Sequence, residues 1–183
     1  DSFRPDITFL VNGMPLIFME VKRPNNRDGI QAERDRMEKR FSNDAYRRFV
    51  NITQVMLFSN NQEYDDEDRH QLEGSFYPSS AYGHLSYNHF REEDDAGMAA
   101  LVALRNEAIE KLILKDNNLA SYYGTSEYES SLDPNTPANR IITSLLSPER
   151  FIFLLRYGIV YVEKTNDEGV KELQKHVMRY PQL

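Results

Sequence analysis

The feature that most constrains this chain lies at its start: DITFLV at 6–11, Asn12-Gly13, then a second apolar run ending in LIFMEVK at 16–22. Two runs of β-branched and aromatic residues around Asn-Gly predict a β-hairpin. Pro24 stops the second strand, and PNNRDG reads as a loop. LIFMEVK is apolar enough to be buried on both faces, where charge is costly unless paired or bound to a metal. Glu20 and Lys22 at its end, with Asp6 at the start of the neighbouring strand, therefore require an explanation.

Spacing sets a geometric condition on those three residues. Glu20 and Lys22 share a strand face because side chains alternate with period two. A plain two-residue turn at Asn12-Gly13 would pair Val11 with Met14 and Asp6 with Met19, leaving Asp6 and Glu20 on opposite faces. Bringing both carboxylates together needs a three-residue loop at Val11-Asn12-Gly13, with Gly13 left-handed, or an equivalent bulge. In the three-residue case Asp6 lies across from Phe18, diagonal to Glu20. Two carboxylates and a lysine on one face suit phosphodiester hydrolysis. A hard divalent cation such as Mg²⁺, with Mn²⁺ as substitute, takes one or two carboxylates plus water and phosphate oxygens. Asp6 and Glu20 supply the carboxylates, the Val21 carbonyl a further oxygen, and Lys22 a charge for the attacking water or the transition state. The plainer reading is a solvated charged strand end.

The pattern then turns helical from Ile30 to about Val50, with Ile30, Met37, Phe41, Tyr46, Phe49 and Val50 as apolar positions and a break at Ser42-Asn43-Asp44. Gln54–Phe58 reads as a third strand, giving a mixed α/β layer with a helix over one face. Residues 62–95 read as loops with at most a short strand. A long helix is expected over about 95–115, and a loop over 117–135. Thr136-Pro137 and Ser147-Pro148-Glu149 each open a helix. Ile159–Glu163 is a strand, TNDEG a turn, and 170–180 either a strand or a helix.

Composition narrows the function classes. The 183 residues contain no cysteine, which excludes disulfides, thiolate metal sites and a cysteine nucleophile. The scattered His70, His84, His89 and His176 argue against zinc. No apolar run approaches a membrane span, so no membrane partner is expected, and the lack of cysteine fits a cytoplasmic protein. The chain begins at Asp1 and ends at Leu183, and both ends read as cuts in a longer polypeptide. Net charge is −7, an unusual balance for a nucleic-acid binder, but 27–48 carries seven Arg/Lys against five Asp/Glu. Tight DNA binding by this chain alone is therefore not expected.

The stretch RPDITFLVNGMPLIFMEVKRP, residues 4–24, resembles the PD-(D/E)xK nuclease core and, more specifically, the N-terminal nuclease domain of the R (restriction, or motor) subunit of type I restriction enzymes. The resemblance implies a restriction-endonuclease-like mixed sheet flanked by helices, with additional helices in the C-terminal half. It implies a single endonuclease domain fragment over 1–183: a nuclease core at about 1–62, a helical elaboration at about 90–157, and a strand with a lead-in at about 158–183. Asp6 and Glu20 would be metal ligands and Lys22 the catalytic lysine. The family's next helix carries a glutamine, for which Gln31 is the candidate, although position 35 is Asp rather than the family's Tyr. QVMLFSN, residues 54–60, fits the following strand. Arg179, Tyr180 and Gln182 resemble the lead-in to an ATP-dependent translocase, in which Gln182 would lie near the adenine. This chain has no phosphate-binding loop motif, so ATP would be used elsewhere. The implied partners are double-stranded DNA and the methyltransferase and specificity subunits. The alternatives are another nuclease of the same core, such as a repair enzyme, or a silent module that docks subunits of a DNA translocase.

Several further residues carry candidate roles. Arg4 and Arg23 flank the site and can reach phosphates. Arg34, Arg36, Lys39, Arg40, Arg47 and Arg48 either line a DNA path or form a solvated helix face. Tyr77, Tyr82, Tyr122 and Tyr123 either stack on bases or anchor core and loops. EYDDED at 63–68 could bind a cation but reads first as a solvated loop.

Overall fold

A computed structural model describes residues 4–22, 27–63, 75–81, 84–89, 95–133, 135–165 and 168–179. Its centre is a five-stranded sheet in the order β1 (Ile7–Val11), β2 (Met14–Val21), β3 (Val55–Ser59), β4 (Ser75–Ala81), β5 (His84–His89). β2 and β3 are parallel and every other neighbouring pair is antiparallel. The parallel step needs a crossover, supplied by α1 (Arg27–Ser42) and α2 (Asp44–Ile52). Asn43 separates these helices: its side chain accepts from the Ala45 N–H at 2.9 Å and caps α2. This mixed α/β sheet flanked by helices agrees with the expected restriction-endonuclease-like class.

The hairpin meets the geometric condition in an unexpected place. Asn12 (φ 50°) and Gly13 (φ 79°) form a regular two-residue turn pairing Val11 with Met14. The anticipated three-residue loop is absent. Instead the ladder shifts between Phe9 and Leu10: Leu10 faces Pro15 while Phe9 faces Ile17, leaving Leu16 as the extra residue of a bulge. Pro15 explains the position. It has no N–H to give, and in an inner strand a proline is tolerated next to a bulge. The Leu16 carbonyl is taken by the Gln54 N–H at 2.7 Å.

Strand alternation divides the core between the sheet faces. Phe18, Met56 and Phe58 pack with Met37, Val50 and Leu85 beneath α1 and α2. Ile17, Met19, Val55 and Leu57 pack on the other face with Tyr77, Ile141, Leu145, Phe151, Leu154 and Val177. That second layer comes from α6 (Pro137–Arg140), the π-type turn Ile141–Leu145, α7 (Pro148–Phe153) with its π-type extension to Gly158, and the β6–β7 hairpin (Ile159–Thr165 and Lys171–Val177). The segment left open as strand or helix is therefore a strand.

Three expectations need correction. Two strands, β4 and β5, extend the sheet within the segment expected to be mostly loop. Tyr77, Ser79 and Leu85 bury there, and this packing outweighs a polar composition. The single helix expected at 95–115 is two, α3 (Asp95–Val102) and α4 (Glu107–Asp116). Asn106 accepts from the Ala108 and Ile109 N–H groups, so it caps α4 rather than continuing α3. The expected loop at 117–135 holds a 3₁₀ turn (Ala120–Tyr122) and α5 (Ser126–Ser130), capped by Thr125.

Candidate active site

The bulge decides which way the acids point. With Ile7 opposite Met19 and Thr8 opposite Phe18, one more step of the ladder sets Asp6 across from Glu20. Both then lie on the Phe18 face, toward α1. The Val21 N–H donates to Asp6 Oδ2 at 2.9 Å, fixing that carboxylate at the strand end. Asp6 is directly across from Glu20, one step from the diagonal position expected of a three-residue loop.

Lys22 joins them. Its Nζ lies 3.4 Å from Glu20 Oε2 and 3.8 Å from Asp6 Oδ2. The Lys22 N–H donates to the Ser59 carbonyl at 2.8 Å, so the parallel neighbour holds the backbone just past β2. Asp6, Glu20 and Lys22, read from the sequence as one cluster, are brought together. Val21 contributes its N–H to Asp6. Arg4 is exposed two residues before Asp6. Gln31 lies on α1, but its side chain falls outside the described residues, as do Arg23, Gln182, Tyr82 and residues 64–68 of the acidic run.

The site has a component that the sequence reading passed over. Glu33 on α1 is only 2% exposed and lies 3.6 Å from Lys22 Nζ through Oε2. Its Oε2 also accepts from Arg36 Nη1 at 3.1 Å, and its Oε1 from Arg40 Nη1 at 2.9 Å. Arg40 Nη1 reaches to 4.0 Å from Glu20 Oε1. Three carboxylates thus interleave with three cations. The signal was present in the apolar stripe Ile30, Met37, Phe41, where helical periodicity calls for another apolar residue at 33 or 34. A glutamate filling that place marks a buried charge with partners. Arg40, read as one of several helix cations, is a site residue by position, whereas Arg36 sits at the exposed rim.

Electrostatics separates the two acids of the hairpin. Burial, the neighbouring Glu33 charge, and the hydrogen bond and charge of Asp6 raise Glu20 to about 7, against the opposing pull of Lys22. Burial also pulls Asp6 upward, but the Val21 N–H, the hydrogen bond with Glu20 and the Lys22 charge outweigh it and leave Asp6 below its ordinary value. A protonated Glu20 donating to an ionised Asp6 satisfies both shifts. A divalent cation bound by both carboxylates would displace that proton. Among the described residues no three acidic or histidine side chains converge as a closed metal cage. An open pair of hard oxygen ligands nevertheless fits Mg²⁺, which keeps most of its waters.

Tyr77, Tyr122 and Tyr123 follow the anchoring alternative. Tyr77 is buried in the core and its hydroxyl donates to the Met178 carbonyl at 2.7 Å. Tyr122 and Tyr123 pack on Tyr128, with ring centroids 6.1 and 4.8 Å away.

A restriction-endonuclease-like sheet with an acid–acid–lysine cluster at the end of its central parallel pair defines the class to which this chain is similar. Residues 1–65 match the family model described as type I restriction enzyme R protein N terminus, which bears out the resemblance over the segment that carries the cluster. Neither the search of curated proteins nor the search of solved structures returns a match. Among the described residues no helix is long and apolar enough to cross a membrane.

Proposed function

We propose that this chain carries the Mg²⁺-dependent DNA-cleaving site of a type I restriction complex. The observation that carries the reading is the Leu16 bulge: it sets Asp6 across from Glu20 and leaves Lys22 within 3.8 Å of both. Asp6, Glu20 and the Val21 carbonyl would hold the cation. The cation would supply an activated water and neutralise charge on the phosphate. Asp6, ionised and fixed by the Val21 N–H, offers the first ligand without rearrangement. Glu20 would bind the cation as the carboxylate. Lys22 holds positive charge over the pair, where it orients the attacking water and stabilises the reacting phosphate. The match of residues 1–65 to the R-protein family supports double-stranded DNA as substrate, methyltransferase and specificity subunits as partners, and ATP consumption by a translocase region outside this chain. The net charge of −7 agrees with a nuclease that receives its DNA from such partners.

The test is Asp6→Ala and Lys22→Ala in the intact protein assembled with its partners, with cleavage and ATP hydrolysis assayed separately. Cleavage is expected to fall by about 1,000-fold or more while ATP hydrolysis stays within about twofold. Wild-type cleavage by both variants would reject the reading.

A further inference from the structure

We propose that Glu33 is a positioning residue whose buried carboxylate keeps the Lys22 ammonium at the site while Asp6 and Glu20 are committed to a divalent cation. The proposal rests on the nuclease reading above and deepens it. Among the described residues Lys22 has three carboxylate neighbours: Glu20 at 3.4 Å, Glu33 at 3.6 Å and Asp6 at 3.8 Å. A cation held by Asp6 and Glu20 would engage both of those carboxylates and repel the ammonium. Lysine has a flexible four-carbon stem, and nothing intrinsic to it resists a swing into solvent. Among the described residues Glu33 is the one carboxylate neighbour of Lys22 that lies outside the proposed ligand pair.

Glu33 is suited to that task and poorly suited to binding the cation itself. Both its oxygens already accept from guanidinium groups, Oε1 from Arg40 at 2.9 Å and Oε2 from Arg36 at 3.1 Å. Met37, fully buried four residues on, locks this face of α1 against the sheet. The carboxylate is thus held by helix packing on one side and two arginines on the other. Arg40 also spans from Glu33 toward Glu20 and ties the hub to the second ligand.

The experiment is a double-mutant cycle in the intact protein, read as single-turnover DNA cleavage, beside calorimetric Mn²⁺ binding in the absence of DNA. Glu33→Gln keeps the shape and removes the charge. It is expected to slow cleavage by about 100-fold, in keeping with loss of one oriented group, with substrate KM within about threefold. On a Lys22→Ala background it should cost nothing more, because its effect passes through Lys22. Mn²⁺ affinity should stay within about tenfold of wild type, while Asp6→Ala should lose most of it. Glu33→Asp keeps the charge but withdraws it by one methylene. The same pattern at smaller amplitude is expected of it, and it serves where Glu33→Gln does not yield folded protein.

Equal losses on both backgrounds would identify a general structural role and overturn the proposal. Loss of Mn²⁺ binding in Glu33→Gln would make Glu33 a ligand and overturn it as well. Full cleavage by Glu33→Gln beside a dead Lys22→Ala would refute the positioning role and leave the nuclease reading intact. Full cleavage by Lys22→Ala alone would overturn the proposal, and full cleavage by Asp6→Ala as well would bring the nuclease reading down with it.

Discussion

At the residue scale, Glu20 carries the largest tension in the site. It is 5% exposed and faces Asp6 and Glu33, and it is raised to about 7. Between the ordinary carboxylate value and about 7, the folded protein holds a proton that the unfolded chain has released. Stability from this group is therefore complete below the unfolded value and is lost as pH rises through about 7. Glu20→Gln freezes the neutral form. In metal-free buffer at pH 8 the variant should be more stable than wild type by about 1–2 kcal/mol. At pH 5 the two should differ little. Asp6, shifted the other way, loses its contribution only below its ordinary value and does not disturb this window. Thermal unfolding in the presence of a chelator, compared at the two pH values, checks the prediction. An unchanged difference across pH would show that Glu20 is ionised without metal. Stability gained by disabling an acid is expected where charges are held together for function.

Residue identity alone could not have supplied this picture. Asp6, Glu20 and Lys22 were legible because charge at the end of an apolar strand is conspicuous. Glu33 was not, because a glutamate among the many charges of ERDRMEKR is inconspicuous until Met37 is seen buried beside it. The need for an irregularity between the two acids followed from counting, since alternation is strict. Its location did not. Turn and bulge satisfy the same count, and the choice fell to Asn12-Gly13, which suits a two-residue turn, and to Pro15, which disfavours a regular ladder.

At the element scale, the α2–β3 junction shows how distant segments finish what local sequence begins. The last four carbonyls of a helix lack intrahelical partners. In α2 each finds one. Phe49 O accepts from the Thr53 N–H, Asn51 O and Ile52 O from the Gln54 side chain, and Val50 O from Lys175 Nζ on β7 at 2.6 Å. Lys175 Nζ also donates to the Thr53 carbonyl. Lys175 is 4% exposed, and burial pushes it down to about 7. A neutral amine has two N–H groups, matching its two carbonyl acceptors. Because the folded value is depressed, Lys175 contributes stability that is present above its ordinary value and is lost as pH falls toward about 7. Lys175→Met leaves both carbonyls without this donor and should cost about 2–3 kcal/mol at pH 9.5. The cost should shrink by on the order of 1 kcal/mol per pH unit toward pH 7. Chemical denaturation of both proteins at three pH values checks this, and a pH-independent cost would show that Lys175 stays charged when folded. No feature of KELQKHVMRY announces such a partner, because it is 122 residues from Thr53 along the chain.

For the whole molecule, the family match and the hydrophobic core have different extents. Residues 1–65 carry the match and every residue of the proposed site. Yet the sheet face opposite that site is sealed by later segments. Ile17, Met19, Val55 and Leu57, all 3% exposed or less, are covered by Tyr77, Ile141, Leu145, Phe151, Leu154 and Val177. Hydrogen bonds reinforce the closure, from the Tyr77 hydroxyl to the Met178 carbonyl and from the Val177 N–H to Ser79 Oγ at 2.8 Å. Removing that layer would expose four large apolar side chains, each worth about 1.5–3 kcal/mol on burial. It would also leave β3 as an unpaired apolar edge. Such a loss approaches the 5–15 kcal/mol that holds a typical domain together. A polypeptide of residues 1–65 should therefore lack cooperative thermal unfolding and dispersed amide resonances, and should bind Mn²⁺ at least about 100-fold more weakly than the 183-residue chain, because ligands held in an unfolded ensemble are not preorganised. Circular dichroism, amide spectra and calorimetry on the two polypeptides test this directly. A cooperative transition in residues 1–65 would mean that the later segments merely decorate a self-sufficient nuclease core, and the Asp6–Glu20–Lys22 geometry would then owe nothing to the C-terminal half.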